Sequence, residues 1–109
     1  MESQRGEVWW VSLDPTQGSE IKKTHPCLIL TANTLNRMCN TVVVVPFSTA
    51  AKPHPPITVP VTCEGKQAVA VIDQVRAVAK HRLRSCIEVA SPKTLDAIIA
   101  ALTQILELP

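Results

Sequence analysis

The sequence predicts a small, mainly β domain that ends in a single helix. Short runs of apolar and β-branched residues, separated by turn residues, occupy most of the chain, and the clearest helical pattern of apolar residues comes last. A length of 109 residues is enough for one domain with one modest core and too short for two. We therefore expect a single domain, 1–109, built on a strongly bent antiparallel sheet of about five to seven strands.

The strands are predicted from β-branched and apolar runs that are bounded by turn residues. The predicted strands are 8–13, 27–31, 41–47, 57–62 and 68–72. Residues 57–62 alternate apolar positions with polar or proline positions, as in an edge strand with one solvated face. The proline-rich residues 52–56 are predicted to form a stiff, extended connection, and residues 64–66 a turn.

Two adjacent tryptophans lie in the first predicted strand. Because successive strand side chains face opposite ways, Trp9 and Trp10 cannot both enter the same core. One of them is therefore expected on a second surface, which is a packing contact with the C-terminal segment, a dimer interface or a ligand face.

The C-terminal helix has the strongest local signals. Ser91 is a typical N-cap residue, and Pro92 suits the first helical position. Apolar side chains then recur at helical spacing, at Leu95, Ile98, Ile99, Leu102, Ile105 and Leu106. One broad apolar stripe on one helix needs a sheet to cover, so we expect the sheet to close towards an SH3-like barrel capped by this helix.

Composition narrows the choice of partners. Aromatic residues make up only 3% of the chain, which argues against modules that stack RNA bases on many aromatic side chains. The net charge of +2 does not by itself indicate nucleic-acid binding. Basic residues do cluster at 22–23 and 80–84, and these clusters fit either an anionic partner or ordinary solvated faces.

The cysteines and the N-terminus indicate the compartment. The four cysteines are widely separated, form no C-x-x-C motif and have no histidine at a ligand spacing, so neither a structural metal nor another cofactor is predicted. The N-terminal residues lack an apolar signal region, and no apolar run approaches membrane-spanning length. We expect a cytoplasmic, reduced protein without a membrane partner.

A polar segment, 18–26, leads directly into the apolar strand that begins at residue 27. It holds a carboxylate, two ammonium groups, a hydroxyl and an imidazole between Gly18 and Pro26. Loops at the ends of rigid strands are common places for functional residues. The segment is therefore either a reactive loop or a solvated, charged turn.

Several short motifs follow one another along the chain in a distinctive order. The motifs are Arg5-Gly6-Glu7-Val8-Trp9, Leu13-Asp14-Pro15-Thr16, Gly18-Ser19-Glu20, Pro26 before an aliphatic strand, Val45-Pro46-Phe47-Ser48-Thr49 and Asp73-Gln74-Val75-Arg76. In this order they resemble the MazF/PemK family of toxins, and the similarity runs from Arg5 to the final helix. The resemblance implies an SH3-like barrel of the CcdB/MazF/PemK plasmid-maintenance toxin type.

The resemblance also implies a function. Members of this family form homodimers and cut single-stranded RNA, often mRNA, at short sequences without a metal ion, which inhibits translation and growth. A cognate antitoxin protein neutralises them by placing an extended tail in the RNA groove. We therefore expect a sequence-specific endoribonuclease toxin whose partners are RNA, an antitoxin and a second copy of the chain.

Site residues are carried over from the family position by position. Family catalysis is assigned chiefly to an arginine before the proline that opens the second strand, and to a Thr or Ser at the end of the third. Ser48 matches the second position, whereas His25 stands where the arginine would be. The resemblance thus implies catalytic roles for His25 and Ser48, with Glu20 as a partner base. The residues expected to bind RNA are Lys22, Lys23, Thr24, Thr49, Asp73 and Gln74.

The histidine changes the chemistry that is available. Cleavage by the ribose 2′-hydroxyl needs a base, an acid for the leaving oxygen, and a positively charged group that stabilises the crowded phosphorane. An imidazole at residue 25 can transfer a proton directly, but it lacks the permanently charged, bidentate guanidinium of arginine. The missing charge is then expected from Lys22 or Lys23.

Two alternatives remain at this point. In the first, the histidine has weakened or abolished cleavage, and the chain keeps only antitoxin or nucleic-acid binding. In the second, the chain is a gyrase inhibitor like CcdB. The CcdB branch relies on a tail that ends in Trp-Gly-Ile, whereas this chain ends in Leu-Glu-Leu-Pro and has no tryptophan after Trp10.

Overall fold

The computed structural model describes residues 2–13 and 23–109. Within them there are seven strands, a short helix between the second and third strands, and a longer helix after the seventh strand. The strands are β1 (Glu7–Ser12), β2 (Thr24–Ile29), β3 (Thr41–Ser48), β4 (Thr58–Cys63), β5 (Lys66–Val71), β6 (Arg76–Ala79) and β7 (Leu83–Val89), and the helices are α1 (Asn33–Met38) and α2 (Pro92–Ile105). The predicted mainly β fold with a C-terminal helix is confirmed.

The sheet is antiparallel and curls into a half-barrel around β3. The strand order is β4-β5-β3-β2-β1-β7, and β6 also pairs with β3. The first half of β3 pairs with β6 through residues 41–44, and its last two residues, Phe47 and Ser48, pair with β5. Because β3 changes partner along one edge while β2 lies on the other, its end forms a corner between two parts of the sheet.

Two clusters of buried side chains are found within the described residues, one on each face of β2 and β3. One cluster lies inside the curl and contains Trp9, Val11, Leu13, Cys27, Ile29, Val42, Val44 and Val78. The other lies beneath β4, β5 and α2 and contains Val8, Leu28, Leu30, Val45, Phe47, Val61, Cys63, Ala70, Ile72, Ile98 and Ala101. The largely aliphatic composition of both clusters follows from the small number of aromatic residues.

The two tryptophans enter different surroundings, as their alternation along β1 predicts. Trp9 is only 2% exposed, and its Nε1 donates a hydrogen bond to Oε1 of Glu7 at 3.0 Å. Trp10 points to the other face, where it is half-buried. The second surface proposed for one tryptophan is therefore that of Trp10.

Helix α2 begins where its sequence signals place it. Ser91 precedes the helix, and its Oγ accepts a hydrogen bond from the backbone N of Thr94 at 3.1 Å, while Pro92 occupies the first helical position. The helix packs on the sheet through Ile98 and Ala101. Neither helix in the described part of the chain has the length and apolar character needed to cross a bilayer.

Candidate functional site

A cavity of about 330 Å³ opens where the end of β2 meets the end of β3. Cys27 pairs with Pro46 between these strands, so the two residues that precede Cys27 lie beside the last residues of β3. Strand β1 and the turn between β4 and β5 complete the walls. The lining residues are Trp10, Thr24, His25, Pro26, Phe47, Ser48, Thr49, Cys63, Glu64, Lys66 and Ala68.

His25 is half-buried, and one ring nitrogen is held by the backbone. Its Nδ1 lies 3.1 Å from the carbonyl oxygen of Phe47. A carbonyl oxygen can only accept a hydrogen bond, so Nδ1 must carry the proton. In the neutral ring, Nε2 is then the unprotonated nitrogen. The contact to Phe47 thus fixes the tautomer, and Nε2 can accept a proton at the cavity wall.

Ser48 is buried, and backbone groups fix its hydroxyl oxygen. Its Oγ accepts hydrogen bonds from the backbone N of Ala50 and of Ala51, each at 3.1 Å. These bonds use both lone pairs of the oxygen, so the hydroxyl hydrogen is what Ser48 can still offer to a ligand. Ser48 is therefore a hydrogen-bond donor that is oriented before any ligand arrives.

The structure brings some of the predicted site residues together and separates others. Thr24 and Thr49 line the cavity beside His25 and Ser48. Lys23 precedes this wall, is exposed, and has a left-handed φ of 68°, and its carbonyl oxygen accepts a hydrogen bond from the backbone N of Leu13 at 2.8 Å.

The other predicted residues lie elsewhere. Asp73 and Gln74 belong to a short turn of 3-10 helix between β5 and β6, and neither is among the described residues that line the cavity. Glu20 and Lys22, predicted as a partner base and an RNA-binding residue, lie outside the described residues.

Arg76 was not predicted as a site residue, and the sequence analysis named it only as the last residue of the motif at 73–76. It lies opposite Val44, so it shares the face of the sheet that carries Cys27 and His25. Its Nη2 donates to Oε1 of Gln74 at 3.1 Å, and its Nε donates to the carbonyl oxygen of Gln74 at 3.3 Å. Gln74 thereby orients the guanidinium.

The charge of this guanidinium affects the Cys27 thiol in β2. Burial raises the pKa of the Cys27 thiol to about 12, and the positive charge of Arg76 opposes that rise. Cys27 is two residues from His25 on the same face of β2. Arg76 is not among the described residues that line the cavity, and its charge reaches the residue two positions from His25.

The turn between β4 and β5 supplies cavity residues that sequence reasoning recognised only as a turn. Cys63 pairs with Lys66, and both Glu64 and Gly65 adopt positive φ, at 52° and 74°. The backbone N of Glu64 donates to Oε1 of Glu88 at 3.0 Å. Among residues 2–13 and 23–109, no group of three or more His, Cys, Asp or Glu side chains is arranged to hold a metal ion.

Comparison with known proteins identifies the family. A family model described as PemK-like, MazF-like toxin of type II toxin-antitoxin system matches residues 4–106. The chain belongs to this toxin family. The match spans all seven strands and the whole of α2, and it favours neither the gyrase-inhibitor alternative nor a chain that has lost the family's activity.

Relatives of this toxin-family chain include curated and solved proteins. The endoribonuclease PemK of Escherichia coli is 51% identical over 45 residues, which cover 41% of this chain and 34% of PemK. The endoribonuclease toxin MazF of Escherichia coli K12 is 32% identical over 74 residues, which cover 68% of this chain and 66% of MazF. The matched segments thus span only part of both relatives.

A solved structure extends the similarity over the whole chain. A mycobacterial endoribonuclease in complex with its cognate antitoxin superposes with a TM-score of 0.82 and 25% identity. The superposition covers 98% of this chain and 97% of that protein. The superposed part of this chain therefore includes both buried clusters.

Proposed function

We propose that the protein is a sequence-specific, metal-independent endoribonuclease that cuts single-stranded RNA, mRNA included, as the toxin of a type II toxin–antitoxin system in the cytoplasm. The observation that carries the proposal is the pairing of a tautomer-fixed imidazole with an oriented hydroxyl donor across one cavity. The family and its relatives named endoribonucleases support the same reaction. Cleavage of mRNA would inhibit translation and growth.

The reaction follows from the groups at the cavity wall. Nε2 of His25 takes the proton of a ribose 2′-hydroxyl, and the 2′-oxygen attacks the adjacent phosphorus. The bond from phosphorus to the 5′-oxygen breaks, and the 5′-oxygen takes up a proton from solvent water, which leaves a 2′,3′-cyclic phosphate and a 5′-hydroxyl. Ser48 donates its hydroxyl hydrogen to a non-bridging phosphate oxygen. Glu20 is retained as a second proton-transfer group, and Thr24, Thr49 and Lys23 as contacts to the RNA backbone.

Because His25 lacks the permanent charge of the family arginine, the positive charge that faces the phosphate is assigned to Arg76. A guanidinium presents five N–H donors in a planar fork and stays charged at all relevant pH values. Gln74 orients it, and its charge acts on Cys27, which lies two residues from His25 on the same face of β2. Gln74 is thus proposed to position Arg76 rather than to act alone, and Asp73 remains a proposed contact to RNA on the same turn.

Replacing Arg76 with alanine should lower kcat/KM for RNA cleavage by about tenfold to a hundredfold, because a hydrogen bond to a charged group contributes about 1.5–3 kcal/mol. Arg76→Lys should recover part of the loss, since it restores the charge but not the fork. The slope of log kcat/KM against log salt should also become shallower.

Arg84→Ala is the matched control for that experiment. It removes the same charge from an exposed arginine whose Nη1 bonds the carbonyl oxygen of His81. An equal loss of activity in Arg76→Ala and Arg84→Ala would show that only net charge matters, and would remove Arg76 from the site.

The protein is also proposed to form a homodimer and to bind a cognate antitoxin. The similar mycobacterial endoribonuclease was solved in complex with its antitoxin, and Trp10 lies on a half-buried surface at the cavity. Sedimentation as a monomer at micromolar concentration would contradict the dimer.

The proposed function is tested by incubating the purified protein with a long RNA in excess EDTA. Cuts at a short recurring sequence, with 2′,3′-cyclic phosphate ends identified by mass spectrometry, are the expected result. The control substrate carries a 2′-deoxynucleotide at the mapped cut site and should stay intact. Absence of any cutting by a folded protein would contradict the proposal and favour a chain that retains only binding.

A further inference from the structure

The cavity has two chemically different walls, and the proposed cleavage uses only one of them. The polar wall carries the imidazole and hydroxyl groups of residues 24–25 and 48–49. The rest of the lining, here called the apolar wall, is largely apolar and includes Trp10, Phe47, Cys63 and Ala68. Phosphate and ribose need hydrogen-bond donors and acceptors, so the apolar wall is unexplained by the chemistry of the phosphodiester bond.

The size of the cavity and the state of Trp10 limit what can occupy this wall. A volume of about 330 Å³ is at the lower end of the range of about 300–1,000 Å³ for small-molecule pockets, which suits one nucleotide unit. Trp10 is half-buried and lines the cavity, whereas its neighbour Trp9 is only 2% exposed. An unpaired base can stack on an aromatic side chain that lines such a cavity.

Two side chains of opposite charge stand at the rim of the apolar wall. Glu64 and Lys66 flank Gly65 in the turn between β4 and β5, and both are exposed. The positive φ of Glu64 and Gly65 and the bond from the Glu64 backbone to Glu88 hold the turn in place. A carboxylate accepts hydrogen bonds from base amino groups, and an ammonium donates to base carbonyl or ring nitrogen acceptors. The rim therefore carries both kinds of group that read a base edge.

We propose that this cavity binds one unpaired nucleobase next to the cleaved bond, with the base stacked on Trp10 and its edge read by Glu64 and Lys66. The inference rests on the proposed function and names the part of the RNA that this site selects. It makes the turn between β4 and β5 a determinant of the cleavage sequence.

The binding arm of the test does not depend on cleavage. The probes are short, end-labelled single-stranded DNA homopolymers, which carry bases and phosphates but cannot be cut through a 2′-hydroxyl. Binding is followed by anisotropy of the label and, separately, by tryptophan fluorescence. We expect at least one homopolymer to quench the wild-type fluorescence, and Trp10→Phe to lose the quench while it still binds. Trp9 remains in that variant as the internal reference.

The specificity arm compares cut sites in a pool of randomised RNA. We expect Glu64→Gln to change the relative rates for different bases by about tenfold at one position next to the cut, and to leave the other positions unchanged. Trp10→Ala should lower cleavage of all RNAs by about tenfold or more, with Trp10→Phe recovering most of it. Glu107→Gln, which removes a carboxylate at the far end of α2, is the matched control and should behave as wild type.

The outcomes separate this inference from the proposed function. A quench that persists in Trp10→Phe, or an unchanged base preference in Glu64→Gln, would overturn the base-binding cavity while the nuclease stands. A wild-type protein that binds and quenches but cuts no RNA would overturn the nuclease while the base-binding cavity stands.

Discussion

Replacing His25 with alanine is expected to lower the rate of RNA cleavage by about 10²–10⁴-fold, the range that one positioned proton-transfer group contributes. The imidazole is fixed by its Nδ1 contact to Phe47, so the loss removes a defined base at Nε2 rather than a mobile side chain. Single-turnover cleavage of one short RNA that contains the mapped cut site is the measurement, because it reports the chemical step and not product release.

The controls for His25 come from the same chain. His54→Ala and His81→Ala change exposed histidines outside the cavity and should leave the rate unchanged. His25→Arg should preserve or raise cleavage, since it restores the guanidinium found at this position in the family. Unchanged cutting by His25→Ala would exclude His25 from the mechanism.

Replacing Trp9 with alanine is expected to have the largest effect on stability, about 3–5 kcal/mol. Trp9 is 2% exposed and is the largest side chain of the cluster inside the half-barrel, so its removal leaves a cavity there. A typical domain has only about 5–15 kcal/mol of net stability, so this single change would unfold a substantial fraction of the protein. Urea denaturation at one fixed protein concentration measures the loss.

Trp10→Ala is the matched control for that measurement. It removes the same side chain from the next position of β1, but from a half-buried site on the opposite face. The free energy of unfolding should fall by clearly less than for Trp9→Ala. The loss of RNA cleavage, relative to the loss of unfolding free energy, should be larger for Trp10→Ala than for Trp9→Ala. Equal destabilisation by the two changes would contradict the assignment of Trp9 to the core and Trp10 to the cavity.

Local sequence signals predicted those parts of the fold that depend on neighbouring residues. The alternation of Trp9 and Trp10 follows from the geometry of a strand, and the start of α2 follows from Ser91 and Pro92. The change of partner along β3 had no such signal. Pairing of Ser48 with Val69 joins residues that are distant in sequence, and a run of β-branched residues does not specify its neighbours.

The candidate site was predictable to the extent that its residues end strands. His25 and Ser48 were found because a family position and a strand terminus coincide, and both line the cavity. Glu64 and Lys66 were not predicted to line the cavity because their position depends on how the β4–β5 turn folds back towards the ends of β2 and β3. The proposed role of Arg76 likewise depends on the pairing of β6 with β3. From residue type alone, Glu64 and Lys66 were predicted only as part of a turn, and Arg76 was noted only as the last residue of a motif.

The walls of the cavity come from residues as far apart in sequence as Trp10 and Ala68, and this has a consequence for when the protein becomes active. A chain still emerging from the ribosome can carry His25 and Ser48 without a site, because β1, β2, β3 and the β4–β5 hairpin must all have paired first. His25 and Ser48 are therefore translated before the cavity that they line can form. The proposed nuclease would therefore start to act only after the ribosome has synthesised most of the chain.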